Sequence, residues 1–115
     1  MIRTVIIDDE PRARDTIRTM LGLSREPVEL AGEAGSVAEA YELICREKPA
    51  LVLLDINLPD GTGFDLLKMF QKIFFSIIFI TAHGEHAITA FKFSAVDYIL
   101  KPLHAGELLS AVTRA

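Results

Sequence analysis

Short apolar runs alternate with longer stretches of helical period along the 115 residues of the chain. The runs are rich in β-branched or aromatic residues, and the stretches between them carry apolar side chains at intervals of three and four. This alternation predicts βα units around a parallel sheet that is covered on both faces. Five strands are predicted: "TVII" from Thr4, "VELAGEA" from Val28, "LVLL" from Leu51, "IIFI" from Ile77 and "VDYIL" from Val96.

The stretches between the runs predict five helices, each with one apolar face. Pro11 suits the first turn of a helix, and Ser36 is a good N-cap with Glu39 three residues on to complete a capping box. The predicted core faces are Ala13, Ile17, Met20 and Leu21; Val37, Tyr41, Ile44 and Cys45; Phe64, Leu67 and Phe70; Ala87, Ala90 and Phe91; and Ala105, Leu108, Leu109 and Val112.

A chain of this length with five βα units predicts one domain over residues 1–115. We expect a doubly wound α/β three-layer sandwich with a parallel sheet in the order 2-1-3-4-5 and right-handed crossovers. In that topology, ligands bind at the carboxyl ends of strands one and three.

Composition excludes several classes of protein. Half of the residues are hydrophobic, which argues against disorder, and the net charge of −4 argues against direct binding to nucleic acid. No secretory signal opens the chain, and the most apolar segment, "IFFSIIFITA", is about half as long as a bilayer crossing requires. The single cysteine, Cys45, is predicted to be a core residue without a disulfide partner. We therefore expect a cytoplasmic protein without membrane insertion.

Three carboxylates are predicted to meet at one edge of the sheet. Asp8 and Asp9 follow the first strand directly, and Asp55 closes the third. A buried carboxylate is costly unless it is paired or bound to a metal, and hard oxygen ligands favour Mg²⁺ or Ca²⁺. Mg²⁺ is the better candidate because the spacing of an EF-hand loop is absent. The alternative is that Asp8 or Asp9 caps the first helix and Asp55 only ends a strand.

Two further strands end at the same predicted edge. The fourth ends in Thr81, and the fifth leads into Lys101 and Pro102. Considered singly, Thr81 is a turn or cap residue and Lys101 a surface lysine. Together, however, three carboxylates, a hydroxyl and an ammonium group at one edge argue against an accidental arrangement.

Four motifs carry a resemblance to a known family. They are "IIDDEPRAR", "LLDINLPDGTGFDLL", "FITAH" and "AVDYILKPL". In this order and spacing the chain closely resembles the response-regulator receiver domain of two-component signalling, over its whole length. The segment "AFKFSAVDYILKPL" is most similar to receivers that precede a LytTR-type DNA-binding domain. The resemblance implies a flavodoxin-like (CheY-like) fold and a signalling role rather than that of a metabolic enzyme.

The resemblance also implies a site. Asp55 would be the phosphoacceptor, phosphorylated by a sensor histidine kinase or a small phosphodonor. Mg²⁺ would be held by Asp9, Asp55 and the backbone carbonyl of Asn57, with Asp8 acting through water. Lys101 would pair with the phosphoryl group.

A switch and an output surface follow from the same resemblance. Thr81 would hydrogen-bond the phosphate while Tyr98 turns inward, and a cis peptide before Pro102 would aim Lys101 at the site. The fourth helix, fifth strand and fifth helix would form the face of a homodimer, on which Ile88 is an exposed apolar residue. Any effector domain, and with it any contact with DNA, would lie beyond Ala115.

Other functions stay open at this point. A phosphatase of the haloacid dehalogenase type needs a second aspartate where Asn57 stands, and an FMN carrier needs a hydroxyl- and glycine-rich loop where "DDEPRAR" stands. A pseudo-receiver, which binds proteins without accepting phosphate, usually lacks one of the acids, the hydroxyl or the lysine. His83 and His86 suggest a metal pair, but loop histidines exposed to solvent are the more common explanation.

Overall fold

The computed structural model describes residues 1–115 as a five-stranded parallel sheet between two layers of helices. The strands are Ile2–Ile7 (β1), Val28–Ala34 (β2), Leu51–Leu54 (β3), Ser76–Thr81 (β4) and Asp97–Leu100 (β5). The helices are Pro11–Leu21 (α1), Val37–Glu47 (α2), Gly63–Lys68 (α3), Ala87–Lys92 (α4) and Ala105–Arg114 (α5). The strands lie in the order β2-β1-β3-β4-β5, which confirms the predicted topology.

Each strand contributes to two cores because successive side chains point to opposite faces of the sheet. In β3, Val52 and Leu54 pack in a cluster with α2 and α3, whereas Leu51 and Leu53 pack in a second cluster with α1 and α5. All four side chains are fully buried. This burial on both faces explains why the strand is an uninterrupted apolar run rather than an alternating one.

The register of the central strands brings their carboxyl ends to one edge. Ile7 lies opposite Leu54 across the β1–β3 pair, and Leu54 lies opposite Phe79 across the β3–β4 pair. The residues that follow these strands therefore emerge side by side. No helix of the fold combines the length and the apolar character that a bilayer crossing would require.

The helix starts agree with the sequence except at one cap. Pro11 begins α1, and the hydroxyl of Ser36 accepts the N–H of Glu39 at 3.1 Å at the start of α2. The predicted capping box is wrong, because the Glu39 carboxylate accepts the N–H of Gly35 and not that of Ser36. The fold instead has a capping box at α3, between Thr62 and Asp65.

Two residues predicted to be buried are exposed. Cys45 lies on the solvent side of α2, whose buried face is Val37, Ala40, Leu43 and Ile44, because Cys45 is one residue and about 100° around the helix from Ile44. Phe91 is 68 % exposed. Phe93, which follows α4 directly, packs instead: its ring stacks on that of Phe64 with ring centroids 5.6 Å apart.

Candidate functional site

Asp8, Asp9 and Asp55 converge at the carboxyl edge of the sheet, as predicted. Each offers a carboxylate oxygen within 4.8 Å of the others. The backbone continues the sheet ladder beyond the strands, since Asp55 N–H donates to Ile7 at 2.9 Å and Asp8 N–H donates to Ala34 at 3.0 Å. Asp8 is 1 % and Asp55 7 % exposed, whereas Asp9 is open to solvent. The cluster is therefore a shallow acidic pocket with one open side.

Lys101 places its ammonium group between two of these carboxylates. Its Nζ lies 2.9 Å from Asp8 Oδ2 and 3.2 Å from Asp55 Oδ2. Burial alone would lower the pKa of Lys101, but the hydrogen bond to Asp8 and the negative charges of Asp55 and Asp8 outweigh it and raise the pKa above its ordinary value. The Lys101 side chain therefore stays protonated at neutral pH. The Lys101–Pro102 peptide is cis, as expected.

The other oxygen of each buried carboxylate accepts a hydrogen bond from a backbone N–H group. Asp8 Oδ1 accepts the N–H of Glu10 at 2.9 Å, and Asp55 Oδ1 accepts the N–H of Ile56 at 2.6 Å. The N-cap of α1 is Glu10, which makes no side-chain cap bond, so neither aspartate of the first loop is the helix cap considered as an alternative. The carboxylates of Asp8 and Asp55 instead both contact Lys101.

The donor set suits a hard divalent cation. It consists of three carboxylates without a thiolate or imidazole in the cluster, which favours Mg²⁺ or Ca²⁺ over Zn²⁺. Asn57 lies two residues beyond Asp55, exposed, in a short hairpin that pairs Asn57–Leu58 with Gly61–Thr62. The hairpin thus starts at the edge of the acidic pocket.

Thr81 and Tyr98 lie beside the pocket in different environments. Thr81 is fully buried, its hydroxyl accepts the N–H of His83 at 3.3 Å, and its carbonyl accepts the N–H of Lys101 at 2.8 Å. Tyr98 is half-buried against Phe79, and its hydroxyl donates to the carbonyl of His83. Burial raises the pKa of Tyr98, with the negative charges of Glu85 and Asp55 adding to the effect.

The histidines do not join the acidic pocket. His83 and His86 flank Glu85, with nitrogen-to-oxygen distances of 3.6 and 3.7 Å. His104 is exposed at the start of α5. The three histidines lie on loops or at helix ends, which agrees with the interpretation of loop histidines rather than a metal pair.

Three further residues contribute to this region although no sequence motif indicates them. Arg14 donates to the backbone carbonyl of Asp8 at 2.6 Å, and the carboxylate of Asp60 accepts the N–H groups of the first two residues of α2. A Cβ at Gly63 would lie 2.7 Å from the carbonyl oxygen of Asp55. Arg14 is 6 residues from Asp8, Asp60 is 22 and 23 residues from its two N–H partners, and Gly63 is 8 residues from Asp55. These separations follow no periodicity, so no sequence pattern indicates the contacts.

Comparison with protein families gives one match over nearly the whole chain. The family model described as "Response regulator receiver domain" matches residues 4–113. Sensory transduction protein LytT of Bacillus anthracis is 36 % identical over 99 % of this chain and 47 % of its own length. Transcriptional regulatory protein BtsR of Salmonella typhi is 35 % identical over 99 % of this chain and 48 % of its own. The chain spans about half the length of the curated relatives it matches.

Solved structures agree with this match. The response regulatory domain of protein mrkE from Klebsiella pneumoniae has a TM-score of 0.89 at 28 % identity, covering 98 % of this chain and 93 % of that one. The response regulator domain of Thermotoga maritima CheB has a TM-score of 0.86 at 27 % identity, covering 100 % and 96 %. The matched family, the shared CheY-like fold and the acidic pocket agree, and the chain belongs to the family of response regulator receiver domains of two-component systems.

Proposed function

We propose that Asp55 accepts a phosphoryl group from a phosphohistidine of a sensor histidine kinase. The observation that carries this proposal is the convergence of Asp8, Asp9 and Asp55 within 4.8 Å, with the Lys101 ammonium touching two of them. Membership of the receiver family supports the nature of the donor. The domain then acts as a signalling module and not as a metabolic enzyme.

In the proposed reaction, a carboxylate oxygen of Asp55 attacks the phosphorus, the new O–P bond forms, and the bond from phosphorus to the histidine nitrogen breaks with its electron pair on nitrogen. Phosphoryl transfer needs positioning and charge neutralisation more than covalent assistance. Lys101 supplies a fixed positive charge, because it already contacts Asp55 at 3.2 Å. After transfer, its ammonium pairs with a phosphoryl oxygen.

Mg²⁺ is the cation that we propose for the pocket, held by Asp9, Asp55 and the backbone carbonyl of Asn57, with Asp8 acting through water. Bound there, it would neutralise charge on the transferred phosphoryl oxygens. Asp9 suits a ligand role because it is the open member of the cluster. Asp8 suits a supporting role because it is buried and already hydrogen-bonded to Glu10 and Lys101.

The proposed switch uses Thr81 and Tyr98. The Thr81 hydroxyl would exchange its 3.3 Å contact with the His83 N–H for a bond to the phosphoryl group. Tyr98 would follow, because its hydroxyl is bonded to the carbonyl of that same residue, His83. Phosphorylation then favours one of two loop arrangements through contacts that the other cannot make.

The proposed output is a homodimer through α4, β5 and α5, coupled to a LytTR-type DNA-binding domain. Support comes from the exposed apolar side chains of α4 and β5, and from relatives named LytT and BtsR that are about twice as long as this chain. In such a protein, DNA would be contacted by the second domain, consistent with the net charge of −4 here.

The test is incubation with a small-molecule phosphodonor and Mg²⁺, read by intact mass. We expect one phosphoryl group on the wild type, none on Asp55→Asn, and strong suppression by a chelator. Asp15→Asn, which changes an exposed acid on α1, serves as the matched control and should behave like the wild type.

The same experiment separates the alternatives. A pseudo-receiver would gain no mass under any condition. A phosphatase of the haloacid dehalogenase type would turn over the donor without net change, although the second aspartate that it needs is replaced by the exposed Asn57. Phosphorylation that persists in Asp55→Asn would contradict the assignment of the phosphoacceptor.

A further inference from the structure

A groove between α3 and α4 lies outside the acidic pocket, and of its lining only Lys92 belongs to an element of the proposed dimer face. It has a volume of about 440 Å³. Its apolar lining includes Leu67, Phe70, Phe75 and Phe93, and Lys68 and Lys92 lie on its two sides. We call it the α3–α4 groove.

The groove is at the opposite edge of the sheet from Asp55. Phe75 directly precedes β4, and Ser94, which also lines the groove, precedes β5. Because the strands are parallel, their amino ends lie on the edge opposite to the acidic pocket. A molecule in the groove would therefore leave Asp55 accessible to a phosphodonor.

The lining is mixed: five of its nine residues are apolar, and these are incompletely covered. Leu67 and Phe75 are buried, whereas Phe70 and Phe93 are only half-buried. Phe74, whose ring centroid lies 5.1 Å from that of Phe75, is 52 % exposed. Partly exposed aromatic rings in and next to a concave surface are typical of sites that receive apolar side chains of a partner.

The charge around the groove is positive although the chain is acidic overall. Lys68, Lys72 and Lys92 are exposed, and none makes an ion pair. From residue 66 to residue 96 the only acidic residue is Glu85. Lys68 and Lys92 line the groove, and Lys72 lies in sequence between two lining residues. Unpaired ammonium groups next to apolar side chains complement a ligand that combines carboxylates with apolar side chains.

Other occupants fit less well. A second copy bound groove to groove by two-fold symmetry would bring one group of lysines against another, and their like charges would repel. A membrane surface binds an apolar face that lies flat, whereas this lining is concave and partly polar. Nucleic acid is disfavoured by the net charge of −4.

We propose that the α3–α4 groove binds an acidic peptide segment of a partner protein, with apolar side chains seated against Phe70 and Phe93 and carboxylates paired with Lys68 and Lys92. This interaction is independent of phosphorylation chemistry at Asp55 and does not rest on the proposed function.

The test begins with a random peptide library selected on the wild-type chain. We expect enrichment of peptides that combine Asp or Glu with aromatic or aliphatic residues. For a selected peptide labelled with fluorescein, the anisotropy titration should show about tenfold weaker binding to Lys92→Glu or Lys68→Glu.

The matched control is Arg25→Glu, which makes the same change of charge at an exposed position without an ion pair. It should bind the peptide like the wild type, and circular dichroism should show all variants folded. Selection without enrichment of acidic residues would overturn the proposal, and so would an equal loss of affinity in Arg25→Glu. Loss of affinity for anionic vesicles, or of self-association, in Lys92→Glu without an effect on the peptide would assign the groove to a membrane or a second copy instead.

Discussion

Gly63 has no room for a side chain next to the backbone of the proposed phosphoacceptor. Its N–H donates to Ile56 at 2.7 Å, and a Cβ would lie 2.7 Å from the Asp55 carbonyl oxygen and 3.0 Å from Leu54 Cγ. We expect Gly63→Ala to lower the free energy of unfolding by about 2 kcal/mol, because a buried backbone atom must move. It should also slow phosphorylation, since that backbone carries Asp55. Urea unfolding and the rate of mass gain measure the two effects.

Gly106→Ala is the control for Gly63→Ala. Gly106 lies within α5, and a Cβ there would meet nothing within 4 Å. Alanine is expected to leave the unfolding free energy unchanged or raise it by up to about 1 kcal/mol, with no effect on phosphorylation. Equal behaviour of the two variants would contradict the steric argument.

At the scale of elements, Asp60 joins the hairpin after β3 to the start of α2. Its carboxylate accepts the N–H of Val37 at 2.7 Å and that of Ala38 at 3.0 Å, while Ser36 accepts the N–H of Glu39. The N–H groups of the first three residues of α2 are thus all satisfied, two of them by a residue more than twenty positions away.

This contact makes stability depend on pH. The backbone hydrogen bonds hold the pKa of Asp60 below its ordinary value of 3.8. The stabilisation is therefore complete above that value and is lost as the pH falls through the lower pKa of the folded state. We expect Asp60→Asn to lower the Tm by about 5 °C at neutral pH, and the difference to shrink in acid.

The measurement is thermal unfolding, followed by circular dichroism, from neutral pH to below the ordinary pKa of Asp60. Glu42→Gln, at an exposed position on α2, is the control and should leave the Tm unchanged. A difference between Asp60→Asn and the wild type that stays constant with pH would exclude the carboxylate as its source.

At the scale of the whole molecule, the exposed apolar side chains of α4 and β5 define the proposed dimer face. Ile88 is 76 %, Phe91 68 % and Leu100 49 % exposed. We expect Ile88→Glu to weaken phosphorylation-linked dimerisation at least about tenfold without changing the Tm, because a carboxylate would be buried in the interface. Sedimentation velocity of the phosphorylated chain tests this expectation. Cys45→Glu, on the exposed face of α2, should dimerise like the wild type.

Much of the molecule could be predicted from local pattern. The apolar runs predicted the five strands, and β2 and β3 begin and end at the expected residues. The convergence of Asp8, Asp9 and Asp55 followed from the rule that parallel strands end at one edge of the sheet. The predicted buried faces of α2 and α4 were each wrong at one residue, Cys45 and Phe91. Both residues satisfy the spacing of a core stripe as well as their buried neighbours do.

What the sequence alone determined was therefore the order of the elements and the edge at which the acids meet, because strand and helix periods and the parallel topology are encoded locally. The partners of those acids depend on the three-dimensional packing. Lys101 bonded to Asp8, Asp60 capping α2, and Gly63 pressed against Asp55 are contacts between separate elements. Such contacts depend on how helices and loops pack in three dimensions, and no short-range pattern in the chain records them.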